Sequence, residues 1–264
     1  MRPVKEAGMG AKAMYILPGG FVNVDHSILM TGVGIGKIIK APVYSVLVLH
    51  EEGPILIDTG LNPDGRVDPE RTWGPRAKLI KPEVTAEDDI RERLGLLGLK
   101  PSDIKMVIIT HLHWDHTGGL RFFTHCPIMV QRAEYRFAYN PDSFVAAQYM
   151  RNHFDYPLNY QLLEGDQMIL PGVSVVTTPG HTPGHQSVLI RLNSGANHII
   201  AGDLISLREN LAMKIPGSNV WSGRQVVEGI RRLEHLSLLL NADIFPSHDD
   251  VEWEKFKKVP EAYL

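Results

Sequence analysis

Lys105–Thr110 (KMVIIT) is an apolar run that reads as a β-strand, and it feeds directly into His111-Leu112-His113-Trp114-Asp115-His116. Three histidines and an aspartate within six residues form a donor set of imidazole nitrogen and carboxylate oxygen. Such a set suits Zn²⁺ or a similar divalent ion and needs no thiolate. Leaving a strand, His111 and His113 alternate onto one side, while Asp115 and His116 come round a turn to a neighbouring position. Gly118-Gly119 permits the tight reversal. Two ligands for one metal and two for a second is the natural reading.

A tetrahedral ion needs about four ligands, so the cluster must be completed from elsewhere. Three candidates sit where other predicted strands end: His181 in TPGHTPGH (178–185), Asp203 in AGD (201–203) and His248 in SHD (247–249). Working outward, strands are expected at Ala13–Leu17, Val43–His50, Ile55–Ile57, Ile128–Gln131, Val173–Thr178, Ser187–Leu192, His198–Gly202 and Asp243–Phe245. Helices are expected from Ala86, capped by Thr85, to about Leu97, from about Arg132 to His153, and from about Gly223 to Leu240. The polar, Pro/Gly-rich stretch from Leu61 to about Pro82 reads as a long loop with a role at a site. A mixed sheet covered by helices follows, with its chemistry in the loops after strands.

Composition narrows the classes. The 264 residues are 44% hydrophobic and 22% charged, ordinary values for a globular chain. We expect one domain over 1–264, with 1–10 a loosely held N-terminal extension. A net charge of −3 gives no footprint for nucleic acid or an anionic membrane surface. No apolar stretch approaches the roughly 18 residues of a membrane span. The single cysteine, Cys126, excludes an internal disulfide and a cysteine zinc finger. No continuous apolar segment near Met1 suggests a secretory signal, so a cytoplasmic location is expected.

THLHWDH, the LIDTG end of the 55–60 strand, TPGHTPGH, AGD and SHD together resemble the metallo-β-lactamase superfamily. Within it, EEGPILIDTG (51–60), PIMVQRAEY (127–135), LNYQLLEGD (158–166), TPGHTPGHQS (178–187) and VPEAY (259–263) are similar to quorum-quenching N-acyl homoserine lactone lactonases. The resemblance implies an αββα sandwich, two mixed β-sheets packed face to face with helices outside. It implies two divalent metal ions per chain, zinc first, with cobalt, iron or manganese as alternatives. His111, His113 and His181 would hold one ion and Asp115, His116 and His248 the other, with Asp203 bridging. Asp58 would orient a ligand histidine, and His185 would be structural.

The implied activity is opening of the lactone ring by attack of a hydroxide held between the metals. Asp115 and Asp203 would be the catalytic carboxylates, Asp115 carrying the proton to the leaving alkoxide. Glyoxalase II-like thioesterases and phosphotriesterases share such a site and stand as alternatives. The partner would be a small lactone or ester, not nucleic acid or membrane, and the family suggests a homodimer. Phe21, Val22, Met30, Ile35 and Trp114 are candidates for an acyl-chain groove. One departure stands out: where the lactonases carry a tyrosine three residues after the bridging aspartate, its hydroxyl helping to hold the substrate carbonyl, this chain has Ser206. Its gap would be filled by Tyr149, Tyr156, Tyr160 or Tyr263, or else the preferred substrate differs.

Overall fold

A computed structural model describes residues 10–264, so most of the expected N-terminal extension lies outside the described residues. One sheet runs in chain order: β1 (Ala11–Asp25), β2 (Ile38–His50), β3 (Ile55–Ile57), β4 (Met106–Ile108), β5 (Pro127–Gln131) and β6 (Asn159–Leu163). The first three are antiparallel neighbours and the rest pair in parallel. The second sheet contains β7 (Gln167–Leu170), β8 (Val173–Thr177), β9 (Gln186–Arg191), β10 (Asn197–Ile200) and β11 (Ala242–Phe245), in the order β11-β10-β9-β8-β7.

The period-two alternation of side chains explains how the layers stack. Ile55 and Ile57 point between the sheets, where they join Val46, Val48, Val175, Val188 and Ile190. Leu56 and Leu47 point the other way, into a second core with Ile90, Leu94 and Ala138 from the helices Ile90–Gly95 and Arg132–Tyr139. The Gly223–Leu240 helix covers the far face of the second sheet through Val226, Ile230 and Leu233. Strands buried on both faces read as unbroken apolar runs, as Val43–Leu49 does. The layers are helix, sheet, sheet, helix.

Strand direction gathers the site. β3 runs parallel to β4, and β10 parallel to β11; β8 is antiparallel to β9, which is antiparallel to β10. The carboxyl ends of β8, β10 and β11 therefore share one edge. Gln186 ties that edge to the end of β4, its backbone N–H donating to the Thr110 carbonyl (3.0 Å) and its side-chain amide to the Ile109 carbonyl (2.8 Å).

Several elements differ from expectation. The helix expected from Ala86 begins at Ile90, because Asp88 instead accepts bonds from the Thr85 backbone and hydroxyl and closes a turn; Asp89 caps the helix. The helix from Arg132 ends at Tyr139, since Pro141 has no N–H to donate and disfavours helical backbone at Asn140. β1 is longer than expected, with a register break between Pro18 and Phe21 where Gly20 takes φ 104°. The 61–82 stretch contains short helical turns at Pro63–Arg66, Pro69–Trp73 and Arg76–Leu79.

Candidate metal centre

Ile57 and Ile108 end two parallel strands, and the residues that follow hold each other. Asp58, at φ 56°, accepts from the Thr110 N–H and hydroxyl, both at 2.8 Å. Its Oδ2 also lies 2.8 Å from Nδ1 of His116. A carboxylate on one ring nitrogen fixes the tautomer and aims the other. His116 Nε2 accordingly faces Asp203 Oδ1 at 3.1 Å. His248 is set the same way: Nδ1 donates to the Pro42 carbonyl (2.8 Å), leaving Nε2 3.1 Å from the same Asp203 oxygen.

The other Asp203 oxygen, Oδ2, looks toward His181 Nε2 (3.3 Å) and His111 Nε2 (3.8 Å). Nδ1 of His113 and Nε2 of His181 stand 2.9 Å apart. Two groups result, each with its donor atoms within 4.8 Å of one another: His111, His113, His181 and Asp203, and Asp115, His116 and His248. Asp203 presents one oxygen to each group. All seven side chains are buried.

The electrostatics fit cations. Burial, reinforced by the neighbouring imidazoles, pushes His111 and His113 well below the ordinary histidine range, so both rings are neutral and have lone pairs to give. Burial opposes charge on His116 too, yet the Asp203, Asp58 and Asp115 carboxylates outweigh it and hold that ring well above its usual value. Asp203 is held well below the carboxylate range against its own burial by His248, His116 and His181. Among the described residues, His111 Nε2, His113 Nε2, His116 Nε2, His181 Nδ1 and Asp203 Oδ1 are buried without a hydrogen-bond partner. Buried polar atoms are costly unless paired or metal-bound, and His111 Nε2, His116 Nε2 and Asp203 Oδ1, which meet around the Asp203 carboxylate, suit divalent ions.

His185 lies behind His111, ring centroids 5.2 Å apart, and outside both groups; Nδ1 meets the Thr178 hydroxyl and burial brings its pKa down to about 3. Val22, Met30 and Trp114 share one apolar cluster with Leu61, Trp73 and Leu207. Phe21 lies apart, edge-on to Trp253 under the Lys40 ammonium. Ile35 is 79% exposed in the Gly32–Gly36 turn. Ser206 is buried, and its carbonyl accepts the His248 N–H (2.9 Å).

Two residues escaped the sequence reading. Glu134 is fully buried and accepts from the Leu112 N–H (2.9 Å), the Tyr149 hydroxyl (3.1 Å) and the Thr182 hydroxyl (2.5 Å), joining the turn after β4 to the turn after β8. Arg76 lies half-buried with its guanidinium 5.7 Å from the Trp114 ring. Glu134 falls inside the PIMVQRAEY segment, the one signal that could have marked it. Nothing in the polar 61–82 stretch distinguished Arg76 from its neighbours.

The metallo-beta-lactamase superfamily matches residues 39–255. The chain is 35% identical to N-acyl homoserine lactonase AiiA of Bacillus thuringiensis subsp. kurstaki, covering 97% of this chain and 100% of that one. It is 32% identical to N-acyl homoserine lactonase AttM of Rhizobium radiobacter, covering 95% and 98%. Among solved structures, an N-acyl homoserine lactone hydrolase with the product N-hexanoyl-L-homoserine at its catalytic metal centre superposes with TM-score 0.88 at 33% identity, over 97% of this chain and 100% of that one. AidC, a dizinc quorum-quenching lactonase, shares the fold at 19% identity and TM-score 0.70 over 96% of each chain. Likeness that runs the length of the chain, on strands that gather these histidines and aspartates at one edge, leaves one assignment: the chain belongs to the metallo-β-lactamase superfamily.

Proposed function

We propose that the protein is a metal-dependent hydrolase that opens the lactone ring of N-acyl homoserine lactones, a quorum-quenching activity. The observation that carries the reading is Asp203, one carboxylate oxygen toward each of two buried donor groups, in a chain 35% identical end to end to an N-acyl homoserine lactonase. His111, His113 and His181 would hold one ion, and Asp115, His116 and His248 the other, with Asp203 serving both. The nitrogen and oxygen donor set favours zinc, and admits cobalt, iron or manganese. When bound, the ions supply a reactive water at neutral pH and polarise the carbonyl.

The chain's own residues do the rest. Asp58 and the Pro42 carbonyl orient His116 and His248 so that each turns Nε2 inward. Ring opening adds one water across the ester: its oxygen goes to the carbonyl carbon and the ring C–O bond breaks. One proton reaches the departing alkoxide, and we assign its delivery to Asp115, whose Oδ2 lies 3.7 Å from His248 Nε2. The new acid releases the other proton at neutral pH. Trp114, between His113 and Asp115, would form the wall of the acyl groove nearest the donor groups, with Val22 and Met30 buried behind it.

No described helix is long and apolar enough to cross a membrane. A reducing, cytoplasmic setting is part of the proposal, in keeping with a single cysteine, Cys126, that is buried and unpaired. So are a homodimer, on family resemblance, and a single domain, since the inter-sheet core takes side chains from Ala11 through Trp253. Incubation of zinc-loaded protein with N-decanoyl homoserine lactone tests the activity by mass spectrometry. The expected product is the acyl homoserine, one water heavier. Unchanged lactone beside a cleaved thioester would move the assignment to the thioesterases.

A further inference from the structure

The lactonase reading leaves a donor missing, because Ser206 is shorter by a ring than the tyrosine in its family place. None of the four candidate tyrosines is free to fill the gap. Tyr149 packs its ring 4.8 Å from that of His113, but its hydroxyl turns away to Glu134. Tyr156 donates to the Asn152 carbonyl and Tyr160 to the Phe154 carbonyl. Tyr263 accepts from the Lys257 N–H, and its ring packs against His198 and Phe245, away from both donor groups.

Arg76 has what they lack. It opens a short helical turn, Arg76–Leu79, within the 61–82 stretch, and its guanidinium stands 5.7 Å from the Trp114 ring. Trp114 in turn lies between His113 and Asp115 in the chain and belongs to the apolar cluster of Val22, Met30 and Leu207. One terminal nitrogen donates to the Gln148 side chain (2.7 Å), and the Gln148 carbonyl accepts the Trp114 N–H (3.1 Å). Gln148 thereby holds the guanidinium against the tryptophan. Among the described residues Arg76 forms no ion pair, whereas Arg91, Arg93 and Arg121 each grip a carboxylate. A guanidinium has five N–H donors, so several remain to be used. Burial lowers the Arg76 pKa, and the neighbouring Asp115 carboxylate partly opposes it.

We propose that Arg76 donates to the acyl amide carbonyl of the substrate and so is a specificity-determining residue. The inference rests on the lactonase reading. The lactone must reach the two donor groups, and the amide attached to it must leave them past the neighbouring side chains. Arg76, half-buried against Trp114 between His113 and Asp115, stands at that margin. A guanidinium held on an aromatic face keeps its donors aimed at less entropic cost than a flexible ammonium would.

The test compares two substrates in zinc-loaded protein: N-decanoyl homoserine lactone, and a γ-lactone with an alkyl chain and no amide. Arg76→Met should keep its metal content and melting temperature. It should lose about 10- to 100-fold in kcat/KM on the amide substrate, the range for one charged hydrogen bond, and far less on the alkyl lactone. Arg76→Lys should recover part of the loss, and it carries the test if Arg76→Met does not fold. Equal losses on both lactones, or no loss on either, would overturn the role of Arg76 while leaving the lactonase reading intact. A wild-type protein that binds two ions and opens neither lactone would overturn both.

Discussion

Asp203 serves two donor groups, and its removal should be felt in both. Asp203→Ala is expected to retain fewer than two ions per chain, measured by elemental analysis after metal loading. A variant that kept both would show the bridge to be misassigned. Asp58 touches neither group directly except through His116, so its effect should be smaller. Asp58→Asn should lower metal affinity or activity by about 10- to 100-fold, the usual consequence of removing a carboxylate behind a ligand histidine. Titration with a chromophoric zinc chelator measures the affinity half of that statement. Glu134 differs again, because its bonds to Leu112, Tyr149 and Thr182 are structural. Glu134→Ala strands three buried donors and should cost about 3 kcal/mol or more in chemical denaturation. Glu134→Gln keeps an acceptor oxygen and should cost clearly less; equal losses would mean the carboxylate is not what joins the two turns.

Elements place these residues through a few backbone constraints. Gly202 is the clearest: it takes φ 57°, and a Cβ there would lie 2.6 Å from His185 Nε2. His185 thus sits directly beneath the turn that presents Asp203, and only glycine leaves it room. Gly202→Ala combines left-handed backbone with a clash, and should destabilise by roughly 3 kcal/mol while loosening metal binding. Retention of wild-type stability and metal content would argue that the turn is not so constrained. The strands that carry the ligands were legible in sequence because they are buried and apolar; the neighbouring strand Ile55–Ile57 matches to the residue. β6 and β7 were not, since they are short and lie largely exposed at their sheets' margins. Thr85 was mistaken for a helix cap because Asp88 and Asp89 compete for the same role three and four residues on.

At the scale of the whole molecule, the seven proposed ligands could be named from sequence because each follows an apolar strand. Their meeting depends on topology, which periodicity does not reveal. Only the parallel relation of β3 to β4 and of β8, β10 and β11 puts the five turns at one edge. Glu134 and Arg76 stayed hidden for the same reason, since their partners are distant in the chain. Bringing unpartnered buried nitrogens and oxygens together makes the folded state depend on its ions. Binding a thousandfold above its dissociation constant adds about 4 kcal/mol, so the metal-stripped protein should melt about 10 °C lower. Differential scanning calorimetry with and without chelator measures this, and coincident transitions would deny that the site is metal-built.

The most direct measurement is proton release, followed with a pH indicator, when N-decanoyl homoserine lactone is added to protein carrying a measured two equivalents of zinc. We predict a kcat/KM of about 10⁴ M⁻¹s⁻¹ or more, abolished by chelation and restored by added zinc. Two bound ions with no release above buffer would contradict the lactonase account.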